Sequence, residues 1–218
     1  LISGESDHFF SRPALMYIYM GHMRLKDTKP YEDYMWRKQK IDLKRGWVEH
    51  VDAANKTLEF AGGETMPYDQ LVLATGSLPR RLPAAIGGDL GGVHVVRTLA
   101  DVDAMAPGFQ PGARVLIVGG GYIGLEAAAV AASKGLKVTL VEMAERILQR
   151  VACPQTSDYF RALHSAKGVE ILEGVGLDHL IGEDRVSGAK LTDGTELKID
   201  FAIVGVGIVP EVSLAEAA

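Results

Sequence analysis

The chain of 218 residues is long enough for one large domain or two small ones. Its net charge of −5 gives no general basic field for nucleic acid, and no apolar run approaches the roughly 20 residues of a membrane span, so neither partner is expected. The single cysteine, Cys153, excludes an internal disulfide and a C-x-x-C redox pair, which favours a reducing, cytoplasmic setting.

The first part of the chain alternates between short helices and short strands. Pro13 predicts the start of a helix that runs through Met20, and the aromatic stretch at residues 31–39 predicts another. Strands separated by turn signals are predicted at residues 41–44, 47–51, 57–60 and 65–67. The apolar stretch within residues 68–79 predicts a buried strand that ends in a glycine turn.

The second part contains longer elements. A strand at residues 93–97 and a helix at residues 99–105 precede the segment 106–112, whose two prolines mark the predicted domain boundary. Further along, residues 156–167 predict an amphipathic helix. The dipeptide Asp193-Gly194 is a strong signal for a β-hairpin.

Between these elements, residues 114–142 predict one strand–loop–helix–strand unit. Residues 115–118 are wholly apolar, as in a strand buried on both faces, and the Ala-rich residues 125–133 suit a tightly packed helix. The loop that joins them fits G-x-G-x-x-G and consists of Gly119, Gly120, Gly121, Tyr122, Ile123 and Gly124. In this motif the glycines make the turn, admit a pyrophosphate and let helix and strand pack closely. The alternative is a glycine-rich turn in an ordinary α/β domain.

An acidic residue ends the second strand of this unit. Glu142 follows Gly119 by 23 residues, where a carboxylate can accept the hydroxyls of an adenosine ribose. The same carboxylate repels a 2′-phosphate, and neither Met143 nor Ala144 offers a compensating positive charge. The sequence therefore predicts binding of NADH rather than NADPH. The N-terminus of the helix that follows the glycine loop offers unpaired N–H groups to the phosphates.

Residues 68–79 and 199–210 form an internal repeat. They align without a gap, 131 residues apart, so that Asp69 matches Asp200 and Gly76 matches Gly207. This compound pattern predicts two related nucleotide-binding units. By analogy with the second unit, the first glycine loop is expected roughly 20 residues before Leu1, outside this chain.

Three segments in this order resemble a known family. Ala74-Thr75-Gly76, G-G-G-Y-I-G-L-E at residues 119–126 and G-V-G-I-V-P-E at residues 205–211 are similar to the FAD-dependent pyridine nucleotide-disulfide oxidoreductases, especially the ferredoxin/rubredoxin reductase branch. The resemblance implies an α/β fold with two Rossmann-like, three-layer FAD/NAD(P)-binding units, each with an added antiparallel β-hairpin layer. It implies a partial FAD-binding domain at residues 1–106, an inserted NAD-binding domain at 107–212 and a return to the FAD domain at 213–218.

The resemblance also implies roles for single residues. Arg12 and Pro13 would lie against FAD, and Val48 would contact its adenine through the backbone. Ala74-Thr75-Gly76 would pass close to the phosphate and ribose of FAD, and Arg97 would lie by the phosphate or ring edge of the flavin.

On the NAD side, the family pattern implies contacts around the glycine loop. Glu126 would approach the nicotinamide. Gly205 and Gly207 would pass beneath the bound dinucleotide.

The function that the resemblance implies is transfer of hydride from NADH to FAD, and then of electrons to a ferredoxin- or rubredoxin-type iron–sulfur protein. Hydride transfer between the cofactors needs no side-chain acid or base, so we assign no catalytic residue. Two alternatives remain open: an NADH oxidase or quinone-type reductase, and a dinucleotide-binding fragment without turnover.

Thiol and metal chemistry are not expected. Residues 11–13 lack the reactive cysteine of the disulfide-reductase branch. The histidines are not spaced in the sequence as metal ligands are; they are His8, His22, His50, His94, His164 and His179.

Overall fold

A computed structural model describes residues 1–7, 9–20 and 23–218. The strands are β1 (Ile2–Ser3), β2 (Lys44–Arg45), β3 (Val48–Asp52), β4 (Thr57–Phe60), β5 (Thr65–Pro67), β6 (Ser77–Pro79), β7 (Val93–His94), β8 (Arg114–Val118), β9 (Lys137–Glu142), β10 (Val169–Glu173), β11 (Leu177–Gly182), β12 (Val186–Leu191), β13 (Glu196–Lys198), β14 (Phe201–Val204) and β15 (Ile208–Pro210). The α-helices are α1 (Leu15–Met20), α2 (Asp33–Lys38), α3 (Leu99–Met105), α4 (Tyr122–Ser133), α5 (Pro154–Ser165) and α6 (Ser213–Glu216). Among the helices described, none is both long and apolar enough to cross a membrane.

Contacts divide the described residues into two units. The first unit comprises those of Leu1–Ala14, Met23–Leu78 and Val209–Ala218, and the second unit those of Leu15–His22 and Pro79–Ile208. Residues 79–106 thus pack with the second unit. The division into FAD-binding and NAD-binding domains stays a prediction, because compactness does not show which nucleotide a unit binds.

A parallel sheet of five strands forms the centre of the second unit. Its order is β10-β9-β8-β14-β7, and every neighbouring pair is parallel. Residues such as Leu116, Ile117, Leu140 and Ile203 are completely buried in it. Sheets that are covered on both faces need such continuous apolar strands, which is why residues 115–118 carry no alternating polar positions.

The parallel sheet lies between two other layers. On one face, Leu116 and Val141 pack against the antiparallel sheet β11-β12-β13 through Val186 and Leu191. On the other face, α4 packs across β8 and β9. The predicted α/β class with an antiparallel β layer is therefore confirmed. The hairpin predicted at Asp193-Gly194 is also present, because β12 and β13 pair on either side of it.

In the first unit, short strands surround a small core. Strands β1 and β2 are parallel, whereas β3, β4 and β5 form an antiparallel meander. Val51, Leu58 and Phe60 are the buried centre of this meander, and Leu214 of α6 packs against them. The strand predicted at residues 41–44 is present only at its end, where Lys44 begins β2.

The prediction of a buried strand before Gly76 is wrong for this structure. Residues 71–76 form no strand, and the side chain of Val72 is 87% exposed. The matching segment of the repeat, β14, is sandwiched between β8 and β7. Residues 71–76 have no such neighbours among the described strands, and an apolar run becomes a buried strand only when neighbours satisfy its backbone and cover its faces.

Both copies of the repeat nevertheless make the same turn. Gly76 and Gly207 have φ values of 77° and 111°, a region that favours glycine. The carbonyl of Gly76 accepts a hydrogen bond from the Glu211 amide at 2.9 Å, and the carbonyl of Gly207 accepts one from the Arg80 amide at 2.9 Å. Since Arg80 and Glu211 are also 131 residues apart, the repeat extends to backbone hydrogen bonding.

An ion pair joins the starts of β8 and β14, at the sheet edge opposite the glycine loop. The Asp200 carboxylate accepts hydrogen bonds from the Arg114 amide at 2.7 Å and from its guanidinium at 2.6 Å. These bonds lower the pKa of Asp200 from 3.8 to about 2. Because the folded protein has the lower pKa, the pair stabilises it above the ordinary pKa, and this contribution is lost as the pH falls through the folded value.

We expect Asp200→Asn to reduce the free energy of unfolding at pH 7 by about 1 kcal/mol or less, since the pair is partly exposed to solvent. The difference from the unsubstituted protein should shrink between about pH 4 and pH 2. Urea unfolding across this range measures it, with the exposed Asp103→Asn as the control. A difference that stays constant from pH 7 to pH 2 would contradict the assignment.

Candidate functional site

The glycine loop between β8 and α4 is shaped by close backbone contacts. Gly119 has a φ of 106°, and a Cβ atom there would lie 2.5 Å from the carbonyl oxygen of Gly205. A Cβ atom on Gly124 would overlap the carbonyl oxygen of Gly119. The first and third glycines of the motif are therefore required by the packing of β8, α4 and the segment after β14.

Gly121 is a glycine for a different reason. It precedes α4 as its N-cap with an ordinary φ of −82°. Apart from Gly121 and its two chain neighbours, no described residue has an atom within 4 Å of where its Cβ would be. Gly121 provides no side chain to cap the first turn of α4. The twelve-residue helix thus directs its N-terminal dipole toward open space, and this arrangement suits a phosphate group.

Glu142, at the end of β9, is bonded to the glycine loop. Its Oε2 accepts a hydrogen bond from the Gly120 amide at 2.7 Å, and its Oε1 accepts one from the Ala144 amide at 2.8 Å. A carboxylate has about four acceptor positions, so each oxygen retains capacity for a ribose hydroxyl. Glu142, the residue predicted to bind the ribose, therefore also orients the glycine loop.

A second contact to the glycine loop was not predicted from the sequence. It comes from the backing loop, which we define as residues 143–148. Ile147 is completely buried, and its Cγ2 would lie 2.6 Å from a Cβ atom on Gly120. The Leu148 amide donates to the carbonyl of Gly120 at 2.9 Å. No periodicity marks these residues, because the contact depends on how the chain turns after β9.

The start of α4 exposes several groups beside the loop. Tyr122 and Ile123 are exposed on its first turn. Glu126 follows one turn later on an exposed side of the helix, yet the protein around its carboxyl limits hydration and raises its pKa above the ordinary value. Within the described part of the chain, the side-chain carboxylate of Glu126 has no hydrogen-bond partner.

The structure brings Gly205 to the glycine loop, as noted above, and leaves other predicted residues elsewhere in the second unit. Gly207 is exposed, two residues further along the same segment. Arg97 is half-buried ahead of α3, and its amide donates to the Asp101 carboxylate at 3.0 Å. The roles of these residues toward a cofactor stay predictions.

The remaining predicted residues belong to the first unit. Arg12 forms an ion pair of 2.7 Å with Glu5. Val48 is half-buried in β3. Ala74, Thr75 and Gly76 are exposed, and the Thr75 hydroxyl donates to the carbonyl of Glu211 at 2.6 Å.

A cavity of about 350 Å³ opens beside Arg12 in the first unit. It is lined by Ser3, Glu5, Ser6, Phe9, Phe10, Ser11, Arg12, Pro13 and Pro30. Serine hydroxyls suit sugar hydroxyls and phosphates, and the Arg12 guanidinium is held at the cavity by the Glu5 carboxylate, which itself can accept bonds from sugar hydroxyls. The residues present are therefore compatible with a nucleotide at this position.

Metal ligands are not grouped in the described residues: no three His, Cys, Asp or Glu side chains there are arranged to hold an ion. His8 and His22, which the sequence interpretation assigned no metal role, lie outside the described residues.

Known proteins are similar to this chain over nearly its whole length. A family model described as pyridine nucleotide-disulphide oxidoreductase matches residues 2–218. The chain is 41% identical, over 97% of its length and 52% of the relative's, to a 5,5'-dehydrodivanillate O-demethylase ferredoxin reductase subunit from Sphingobium sp.. It is 39% identical, over 98% of its length and 52% of the relative's, to a ferredoxin–NAD(P)+ reductase from Sphingomonas sp.. The chain thus spans about half the length of these curated relatives.

Solved structures show the same fold. Putidaredoxin reductase in its covalent complex with putidaredoxin matches with a TM-score of 0.90 and 31% identity, over 100% of this chain and 54% of that one. A ferredoxin reductase from Rhodopseudomonas palustris matches with a TM-score of 0.90 and 35% identity, over the same shares of the two chains.

The different surroundings of two motif glycines give a paired prediction. Gly121→Ala should leave the fold intact but weaken dinucleotide binding about tenfold or more, because its methyl group would enter the open space at the N-terminus of α4. Gly124→Ala should destabilise the fold by about 1–3 kcal/mol, because its methyl group overlaps the backbone. Thermal unfolding and NADH titration of both variants measure this. Equal effects of the two substitutions on stability would contradict the assignment.

Proposed function

Because the chain belongs to the pyridine nucleotide-disulphide oxidoreductase family, we propose that it acts as an FAD-dependent NADH oxidoreductase that passes electrons to a ferredoxin- or rubredoxin-type protein. The observation that carries this proposal is the glycine loop at the open N-terminus of α4 with the Glu142 carboxylate bonded beside it. The relatives described as ferredoxin reductases support the choice of acceptor. With a single, exposed cysteine, a reducing cytoplasm is the proposed setting.

For NADH, this chain supplies binding and orientation. The amides at the start of α4 would hold the pyrophosphate over Gly121, where the structure leaves room. Glu142 would accept hydrogen bonds from the adenosine ribose. Gly205 and Gly207 would let the dinucleotide approach the backbone closely, and Glu126 would lie toward the nicotinamide.

For FAD, residues of the first unit would supply most of the contacts. Bound FAD would supply the redox chemistry, which is acceptance of hydride from NADH and release of single electrons to an iron–sulfur protein. Arg12 and Pro13 would line its site beside the cavity described above, together with the backbone of Val48. The exposed segment Ala74-Thr75-Gly76 would approach its phosphate and ribose. Arg97 would lie near the phosphate or ring edge.

Anaerobic titration with NADH tests the proposal. The purified protein should show a flavin absorbance that NADH bleaches and that an added oxidised ferredoxin restores. Rapid restoration by oxygen or a quinone, without restoration by ferredoxin or rubredoxin, would favour an oxidase or quinone reductase instead. Saturable NADH binding without flavin would leave only a dinucleotide-binding role, and no NADH binding would refute the assignment of the glycine loop.

The charge of Glu142 should decide the nucleotide preference. Glu142→Gln should weaken NADH binding about tenfold, since hydrogen bonds to charged groups contribute about 1.5–3 kcal/mol. It should weaken NADPH binding less, because the repulsion of a 2′-phosphate is removed. Dissociation constants for both nucleotides measure the change in their ratio.

Glu145→Gln is the matched control for this substitution. Glu145 is exposed three residues further along the chain, so removing its charge should leave the ratio nearly unchanged. A ratio that Glu142→Gln does not alter would show that this carboxylate does not select the nucleotide.

A further inference from the structure

The backing loop is held in place almost entirely by groups outside it. The Ile147 amide donates to Glu173 Oε1 at 2.7 Å, and the Ile147 carbonyl accepts a bond from the Ser157 hydroxyl at 2.6 Å. The Gly174 amide bonds to the carbonyl of Ala144 at 2.9 Å. The conformation of this loop is therefore determined by tertiary contacts from β10, α5 and the turn after β10.

The loop also contains a strained residue at its end. Leu148 has a φ of 55°, which is unfavourable for a residue with a Cβ atom. Such conformations persist only when their surroundings fix them, and they are concentrated at functional sites. Here the strained residue is the one whose amide bonds to Gly120 in the glycine loop.

Glu173 is the charged group on which the loop is fixed. Its carboxylate is mostly buried and is bound by Arg161 through Nε at 2.7 Å and Nη2 at 3.1 Å. The same bonds, with one that Arg161 donates to the Asp158 carboxylate, raise the pKa of Arg161. One carboxylate thus joins a side-on guanidinium to the amide of Ile147, and charge-assisted bonds of this kind hold geometry firmly.

Glu173 and Glu142 are partners in the register of the parallel strands β10 and β9. Each carboxylate accepts amides that shape the site: Glu142 those of Gly120 and Ala144, and Glu173 that of Ile147. We propose that Glu173, held by Arg161, is a positioning residue that keeps the backing loop, and through it the glycine loop, in the conformation that binds NADH. This inference rests on the proposed function.

The test compares two glutamates of one strand. Glu173→Gln removes the charge that binds both Arg161 and the Ile147 amide. Glu170→Gln is the matched control, because Glu170 is exposed on the same strand. Among the described residues, its carboxylate bonds only to the Thr139 hydroxyl, at 3.0 Å. We expect the dissociation constant for NADH to rise about tenfold in E173Q and to change less than about twofold in E170Q.

Amide hydrogen exchange distinguishes a local change in the glycine loop from a loss of overall stability. In the nucleotide-free protein, E173Q should speed exchange at Gly120 and Leu148 while the amides of β8 keep their protection. If E173Q does not fold, Arg161→Lys replaces it, since lysine keeps the charge but cannot reproduce the two-pronged contact. The same changes in exchange and affinity are expected.

The outcomes separate the two proposals. If the unsubstituted protein binds NADH and the folded variants bind it equally well, the positioning role is wrong even where exchange is faster, and the proposed function stands. If affinity falls but only in proportion to a global loss of protection, Glu173 is merely structural and the inference is also wrong. If the unsubstituted protein does not bind NADH, both proposals fall.

Discussion

The hydrogen bond from the Gly120 amide to the Glu142 carboxylate is the contact on which the candidate site depends. It joins the loop after β8 to the end of β9, so two neighbouring parallel strands bring the proposed phosphate site and the proposed ribose site together. Because both strands are buried on two faces, their carboxyl ends cannot shift separately without exposing apolar surface. The sheet therefore provides the rigid support, and the polar groups that act on a ligand are confined to its edge.

The glycines serve this arrangement in two ways. Gly119 and Gly124 allow the backbone of this chain to approach itself, whereas Gly121 leaves space that the chain does not fill. Because Gly119 and Gly124 are fixed by contacts within this chain, the shape of the glycine loop is formed before any ligand binds. Preformed sites of this kind reduce the ordering cost of binding, which would suit the repeated binding and release of a dinucleotide that the proposed function requires.

The local part of this site could be predicted from the sequence, because the strand, glycine loop, helix and Glu142 are contiguous and each has a recognisable pattern. The support behind it could not be predicted. Ile147 reaches Glu173 across 26 residues, and no periodicity links them. The strand predicted before Gly76 does not form, for a related reason. Its apolar pattern matches that of β14, but a buried strand also needs neighbouring strands, which a local pattern does not reveal. The nucleotide bound by each unit likewise stays a prediction, since fold alone does not define a ligand.

A crystal structure of the protein with NAD+ bound is the most direct test. We expect the pyrophosphate beside Gly121 at the N-terminus of α4, and the adenosine ribose hydroxyls within hydrogen-bond distance of Glu142, with the Gly120 bond to Glu142 retained. An adenosine bound elsewhere, with Glu142 bonded only to the amides of Gly120 and Ala144, would contradict this expectation.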